Sequence, residues 1–212
     1  FDDRVYDSLR IAGTVLNRKK RAAQVIAFIE RARRDLKRKS RKSSLRAVKQ
    51  DPSVYIGGIG YKGGQGFEST DAAYVPFRWL GIENVATRTG RPGHVFVDKE
   101  TLLKWNPDYI FIDGGGLPAV LLDRKRKPDY YRALKAVRQN QVYTLFPYNY
   151  YVTNISTAIV DAYFVGKVLY PQRFAAVDLE KKADAVYRFL VGKAVYTQMK
   201  RTYGTPRRIK LN

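Results

Sequence analysis

Apolar residues near the start of the chain recur at three-and-four spacing: Val5, Leu9, Ala12 and Leu16, then Ala22, Val25, Ile26, Ile29, Ala32 and Leu36. That period belongs to a helix with one buried stripe. The stretch 4–46 has no proline and a single glycine, Gly13, and the phase slips across Asn17-Arg18-Lys19-Lys20. Two helices, or one bent helix, are predicted. The second, over 19–46, would be about 40 Å long at ~1.5 Å per residue. After Pro52 the rhythm changes. Short apolar runs at 54–56, 84–86, 95–97, 109–112 and 142–146 read as strands. Between and after them, helices are predicted at 72–80, stopped by Gly81, at 99–105 with Asp98 as N-cap, at 129–138, at 153–169 and at 179–196.

Strands alternating with helices predict an α/β fold, a Rossmann-like parallel sheet with helices on both faces, here preceded by a long helix. Such sheets bind ligands beyond the carboxyl ends of their strands. Three predicted strands run into unusual segments: 57–67, which carries six glycines within ten residues, the stretch Asp113-Gly114-Gly115-Gly116-Leu117-Pro118, and Pro147-Tyr148-Asn149-Tyr150-Tyr151. All three are expected on the same sheet edge. The glycine segment keeps Tyr61, Lys62, Gln65 and Glu68 among its glycines, a composition suited to a backbone that approaches something bound.

Charge sharpens this picture. The 212 residues hold 40 Lys and Arg against 19 Asp and Glu, a formal net charge of +21. Nucleic acid, an anionic membrane surface and an anionic ligand all fit that excess. Residues 1–50 hold 16 of the cations and 5 of the acids, so more than half the excess falls in under a quarter of the chain. Two regions are predicted, a helical segment over 1–50 and an α/β lobe over 51–212. On 19–46 the polar face is nearly all Lys and Arg, including Arg31, Arg33, Arg34, Lys37, Arg38, Lys39, Arg41 and Lys42. One reading is a nucleic-acid-binding α/β module using this helix. The other is a solvated face, favoured because no aromatic side chain interleaves the cations as a stacking reader of single strands requires.

Catalytic chemistry is poorly supplied. There is one histidine, His94, and no cysteine. A soft or borderline metal has no ligand set, and His94, following Pro92-Gly93, is expected to be an ordinary loop residue. No Gly-x-Ser-x-Gly elbow and no Gly-Lys-Ser/Thr phosphate loop occurs. Asp113 reads as a turn residue. The converging segments carry tyrosines and cations instead. Tyr61, Lys62, Gln65, Tyr148, Asn149, Tyr150 and Tyr151, with Arg88 and Arg91 nearby, are the candidate ligand-binding residues; between Tyr150 and Tyr151 the sequence does not choose. No cofactor, catalytic residue or bound metal ion is predicted, and no run of ~18 apolar residues marks a transmembrane helix.

The stretch "LLKWNPDYIFIDGGG" (102–116) resembles a leu-leu-x-leu-asn-pro-asp-apolar-apolar segment of substrate-binding proteins of iron-siderophore and vitamin B12 ABC importers. "GIENVA" (81–86) is similar to the gly-gly-x-asn-val-ala turn that precedes it in that family, and "AVRQNQVYTLFPYNYY" (136–151) to the strand that follows. "VGKVLYPQRF" and "DLEKKADAVYRFLVG" resemble the C-terminal helices of the iron-complex subgroup, and 19–46 resembles the rigid helix joining the two lobes. The resemblance covers nearly the whole chain. It implies the linking helix and C-terminal lobe of a two-lobed class III periplasmic-binding-protein fold, with the N-terminal lobe and the export signal outside this chain. It further implies passive capture of an iron complex, a siderophore or ferric chelate, outside the cytoplasm and its delivery to an importer permease. Membrane contact would come only through the permease or a lipid anchor beyond this chain, and no specific nucleic acid is implied. An acid on each lobe docks such proteins to permease arginines, and Glu68 or Asp71 falls near that place. The strong positive charge departs from the family and points to an anionic chelate or an oxyanion.

Overall fold

The computed structural model describes residues 3–41, 52–60, 63–149 and 153–211. Two helices open the chain, α1 (Asp3–Val15) and α2 (Lys19–Ser40), with Asn17 in the left-handed region (φ 51°) at the turn where the apolar phase slips. They pack closely because Gly13 has no side chain: a Cβ there would lie 2.6 Å from the Ala22 Cβ. Helix α2 ends at Ser40, short of the predicted 46; residues 42–46 lie outside the described residues. Its Ile29 and Leu36 are fully buried, and the helix packs on α3 (Val75–Leu80) and α8 (Ile155–Leu169). Arg31, Arg34, Lys37 and Arg38 line its outer, exposed face.

The central sheet has three parallel strands, β1 (Val54–Gly57), β4 (Tyr109–Asp113) and β5 (Val142–Leu145), in the order β1-β4-β5. Val54 pairs with Tyr109 and Gly57 with Ile112; Ile110 pairs with Val142 and Asp113 with Leu145. Alternation sends successive side chains to opposite faces. Val54, Ile56, Phe111, Tyr143 and Leu145 join one core with α2, α3, α8 and α9 (Leu179–Val191). Tyr55, Ile110, Ile112 and Val142 join a second core with α4 (Lys99–Trp105), α6 (Pro128–Ala133) and α7 (Lys135–Arg138). Burial on both faces is why these strands read as unbroken apolar runs. The free edge of β5 is covered by the later chain: Thr144 N–H donates to the Arg207 carbonyl (2.8 Å), Ile209 N–H donates to the Val142 carbonyl (2.9 Å), and Arg208 bridges Tyr143 antiparallel.

Several elements differ from expectation. A two-stranded antiparallel sheet, β2 (Ser69–Asp71) with β3 (His94–Phe96), sits beside the parallel one. The stretch 84–86 is no strand. Asn84 makes one bridge to Val54, and its side chain caps a 3-10 helix, Val85–Thr89, by accepting from Ala86 N–H (3.3 Å). An unexpected helix, α5 (Leu117–Arg126), follows the Asp113 turn, with Pro118 in its first turn, where a missing N–H costs nothing. The predicted helix at 129–138 is two, broken where Leu134 turns extended, and the one at 179–196 stops at Gly192 (φ 84°) before α10 (Tyr196–Tyr203) begins. Asp98 caps α4 as expected, accepting from Thr101 N–H at 2.8 Å. No described helix is long and apolar enough to cross a membrane.

Candidate functional site

All three strands of the parallel sheet end on one edge, and the segments leaving them pack on each other. From β1 the chain turns through Gly58 (φ 74°), whose N–H donates to the Gly66 carbonyl (3.2 Å). From β4 it turns through Asp113, whose Oδ1 accepts the Gly115 N–H (2.8 Å), while Gly114 N–H donates to the Leu145 carbonyl on β5 (3.0 Å). The two glycine turns touch without side chains between them. A Cβ on Gly116 would lie 2.3 Å from the Gly58 carbonyl oxygen, 2.5 Å from the Gly58 Cα and 2.6 Å from the Gln65 carbonyl oxygen. The glycines at 58 and 116 therefore serve loop-on-loop packing. Gly63 and Gly64 are different: at 63 an added Cβ meets nothing within 4 Å, and at 64 only the Gly115 carbonyl oxygen at 3.8 Å.

A cavity of about 340 Å³ opens beside this edge, lined by Val5 of α1, Asp71 and Val75, and by Tyr148, Asn149 and Thr153 of the segment after β5. Its volume is that of a small ligand pocket. Of the predicted ligand residues, the structure brings Tyr148 and Asn149 to this cavity. Tyr148 is 3% exposed, with its ring packed edge-on against Tyr74 (5.4 Å), so it offers the cavity a wall and not a projecting side chain. Gln65 is half-buried beside Gly116, and Arg88 and Arg91 are exposed on the 3-10 helix and the turn after it; none of the three lines this cavity. Tyr61, Lys62, Tyr150 and Tyr151 lie outside the described residues. A larger cavity, about 560 Å³, lies between α1 and α2 against Arg10, Thr14, Ala23, Ile26 and Glu30. Its walls belong to one helical hairpin and include no strand-end segment, so the smaller cavity is the site the sheet topology points to.

The two docking candidates are in different surroundings. The Glu68 carboxylate is bonded by Lys99, which also reaches Asp123 at 2.9 Å and sits 5.3 Å from the Tyr130 ring centre. Asp71 borders the open cavity; its Oδ1 accepts the Ala73 N–H (2.8 Å), and burial raises its carboxyl above the usual range.

His94 is more than a loop residue. It stands in β3 opposite Asp71, with Nε2 2.8 Å from Ser69 Oγ. The Ser69 hydroxyl donates to the Ile59 carbonyl (2.6 Å), which leaves the imidazole as donor to Ser69. With Ser69 fully buried and its proton committed, this trio ties the glycine segment to the small sheet and offers no nucleophile. Sequence reasoning missed it because the contact spans 25 residues. Among the described residues no group of three or more His, Asp or Glu is placed to hold a metal.

Comparison with known proteins follows the same lines. The family model described as "Periplasmic binding protein" matches residues 1–148. The molybdate periplasmic binding protein MolA of Haemophilus influenzae, solved with molybdate, shares 21% identity; the match covers 96% of this chain and 58% of that one, with a TM-score of 0.67. A periplasmic solute binding protein from Veillonella parvula gives 18% identity, 94% and 59% coverage, and a TM-score of 0.68. The triscatecholate siderophore binding protein FeuA of Bacillus subtilis, solved with ferri-bacillibactin, gives 19% identity, 74% and 56% coverage, and a TM-score of 0.53. This chain spans about three fifths of the length of these solved proteins. No curated protein matches it.

Proposed function

The chain belongs to the periplasmic binding protein family, and from that premise we propose that it supplies the C-terminal ligand-binding lobe of an ABC importer's substrate-binding component. The α/β fold is that of one class III lobe. The observation that carries the reading is the convergence of three strand-end segments on one sheet edge beside the Asp71–Asn149 cavity. Capture and hand-over require no bond to be broken. The ligand we assign is an anionic metal complex or a metal oxyanion. The net charge of +21 favours an anion, and the solved relatives include proteins described as holding molybdate and ferri-bacillibactin. Lys62 and Tyr61, in the middle of the glycine-rich sequence, are assigned as ligand contacts from the sequence. The setting is extracytoplasmic, beside the permease.

The test is thermal unfolding of the full-length protein with molybdate, with a ferric chelate and with nucleotides as probes. A ligand at ~100 times its Kd stabilises by about 2.7 kcal/mol. Stabilisation by one of the two anions is expected, and Lys62→Ala should weaken that ligand by roughly 1–3 kcal/mol while leaving the unliganded protein's stability unchanged. Stabilisation by nucleotides alone, accompanied by hydrolysis, would overturn the assignment.

For the permease contact we assign Asp71, because the Glu68 carboxylate is already held by Lys99. In cells, Asp71→Asn is expected to cut uptake by more than any loss of ligand affinity in the purified protein accounts for, and Glu68→Gln to leave uptake near normal. The reverse outcome would move the contact to Glu68.

A further inference from the structure

Beneath the three converging segments lies a polar cluster that ligand capture does not use. Asp113 ends β4 at 1% exposure, and the alternation that places Phe111 in the core with α8 sends Asp113 the same way. Asp161, in the middle of α8, has no exposure at all and bonds Phe146, the residue after the Leu145 that pairs with Asp113. Each carboxyl gives one oxygen to a different strand-end segment. Asp113 Oδ1 accepts the Gly115 N–H (2.8 Å), and Asp161 Oδ1 accepts the Phe146 N–H (3.1 Å) where the chain leaves β5. The other oxygen of each, and the hydroxyl of the fully buried Tyr74, have no hydrogen-bond partner.

Two ionised carboxylates in such a place are expensive unless a cation pairs them. None does among the described residues. The groups facing the pair are Tyr74 ahead of α3, Tyr148 after β5, Tyr187 of α9 and Tyr196 of α10, with Asp71 of β2 acting on the two nearer tyrosines; all are neutral or anionic. A metal ion is poorly served by two carboxyls, as among the described residues no third acid or histidine completes a set. A proton suits the site. A neutral carboxylic acid carries no charge for burial to penalise, so a proton relieves the cost that an unpaired carboxylate would impose there.

We propose that Asp113 and Asp161 form a sealed proton-binding site that latches the β4–α5 and β5–α8 segments when protonated and loosens them when the proton leaves. The site exists whatever the segments bind. Burial pushes the Asp113 carboxyl up to about 7, and burial and then the nearby Asp113 charge push Asp161 well above the ordinary range. Both shifts are upward, so the folded protein holds protons that the unfolded chain has lost. Stability therefore falls as pH rises from about 4 to about 7 through Asp113, and Asp161 carries the fall higher.

The direct test is a carbon-13 NMR titration of the aspartate carboxyls in the full-length protein. Two carboxyl carbons should stay protonated well above the usual ~4 and titrate together. A second measurement is amide exchange, corrected for its intrinsic pH dependence. Gly115 and Phe146 should lose protection about tenfold between about pH 6 and about pH 8 in the native protein, and Asp113→Asn should abolish that change. Asp161→Asn should also flatten the fall in thermal midpoint over the same range. If both Asn variants fail to fold, the native titration decides alone. Carboxyls that all titrate near the usual ~4, or protection at Gly115 and Phe146 that is indifferent to pH, overturn the proposal.

Discussion

Ile29→Asp is expected to abolish the folded state. Ile29 is fully buried on the face of α2 that packs against α3 and α8. The change removes an apolar side chain from a close-packed site, which alone costs about 2–5 kcal/mol for an Ile truncation. It also places a carboxylate on a fully buried face, an error of about 3–5 kcal/mol when a buried charge goes unpaired. Either term consumes much of the roughly 5–15 kcal/mol that holds an ordinary domain together. Urea unfolding followed by circular dichroism should show no cooperative transition. Arg34→Asp, on the exposed face of the same helix, should stay within ~0.5 kcal/mol of the native protein. Cooperative unfolding of Ile29→Asp at the native midpoint would mean that α2 is not a packed member of the lobe.

Gly116→Ala is expected to cost on the order of 3 kcal/mol and to open the strand-end edge. The added methyl meets three backbone atoms, at 2.3, 2.5 and 2.6 Å, and backbone cannot rotate away as a side chain can. Overpacking of a well-filled site costs about 1–3 kcal/mol, more when nothing yields. The turn after β4 must move off the glycine segment, so ligand affinity should fall together with stability. Gly64→Ala is the control, since its methyl has only one neighbour, at 3.8 Å. Denaturant midpoints and ligand titrations on the two variants make the comparison. Equal behaviour at 116 and 64 would show that the loops are not in contact.

That contrast also measures how far the sequence could be read. The runs at 54–56, 109–112 and 142–146 announced the parallel strands because both faces of this sheet are covered. The phase slip at Asn17, the stop at Gly81 and the N-cap at Asp98 were local signals, and local structure obeyed them. Helix α5 was hidden. Only Val120 is among its buried residues, while Leu121 and Leu122 are exposed, so no clean apolar stripe marks it, and Pro118 reads as a loop until it is recognised as a first-turn residue. The convergence of three strand ends was legible from their order. The purpose of the glycines was only half legible: close approach was correctly expected, but at 58 and 116 the thing approached is the neighbouring turn. The burial of Asp113 and Asp161 left no trace, because one residue looks like a turn former and the other like a helix-face acid, and only the fold encloses them both.

The strap over β5 has a consequence for how the protein is made. Thr144 and Arg207 are separated by 63 residues, so the strand emerges from the ribosome long before the segment that covers its edge. At about 5–20 residues per second that interval is roughly 3–13 s. Throughout it, the amides and carbonyls along the outer side of β5 have no mate within their own chain, and a second nascent copy is the nearest alternative. The hazard for this lobe is thus one of timing. Crowded translation at high expression should produce insoluble chains by strand exchange, and slower initiation, which spaces the copies apart, should restore soluble product. Insolubility that ignored initiation rate would show that the edge is guarded by something other than the strap.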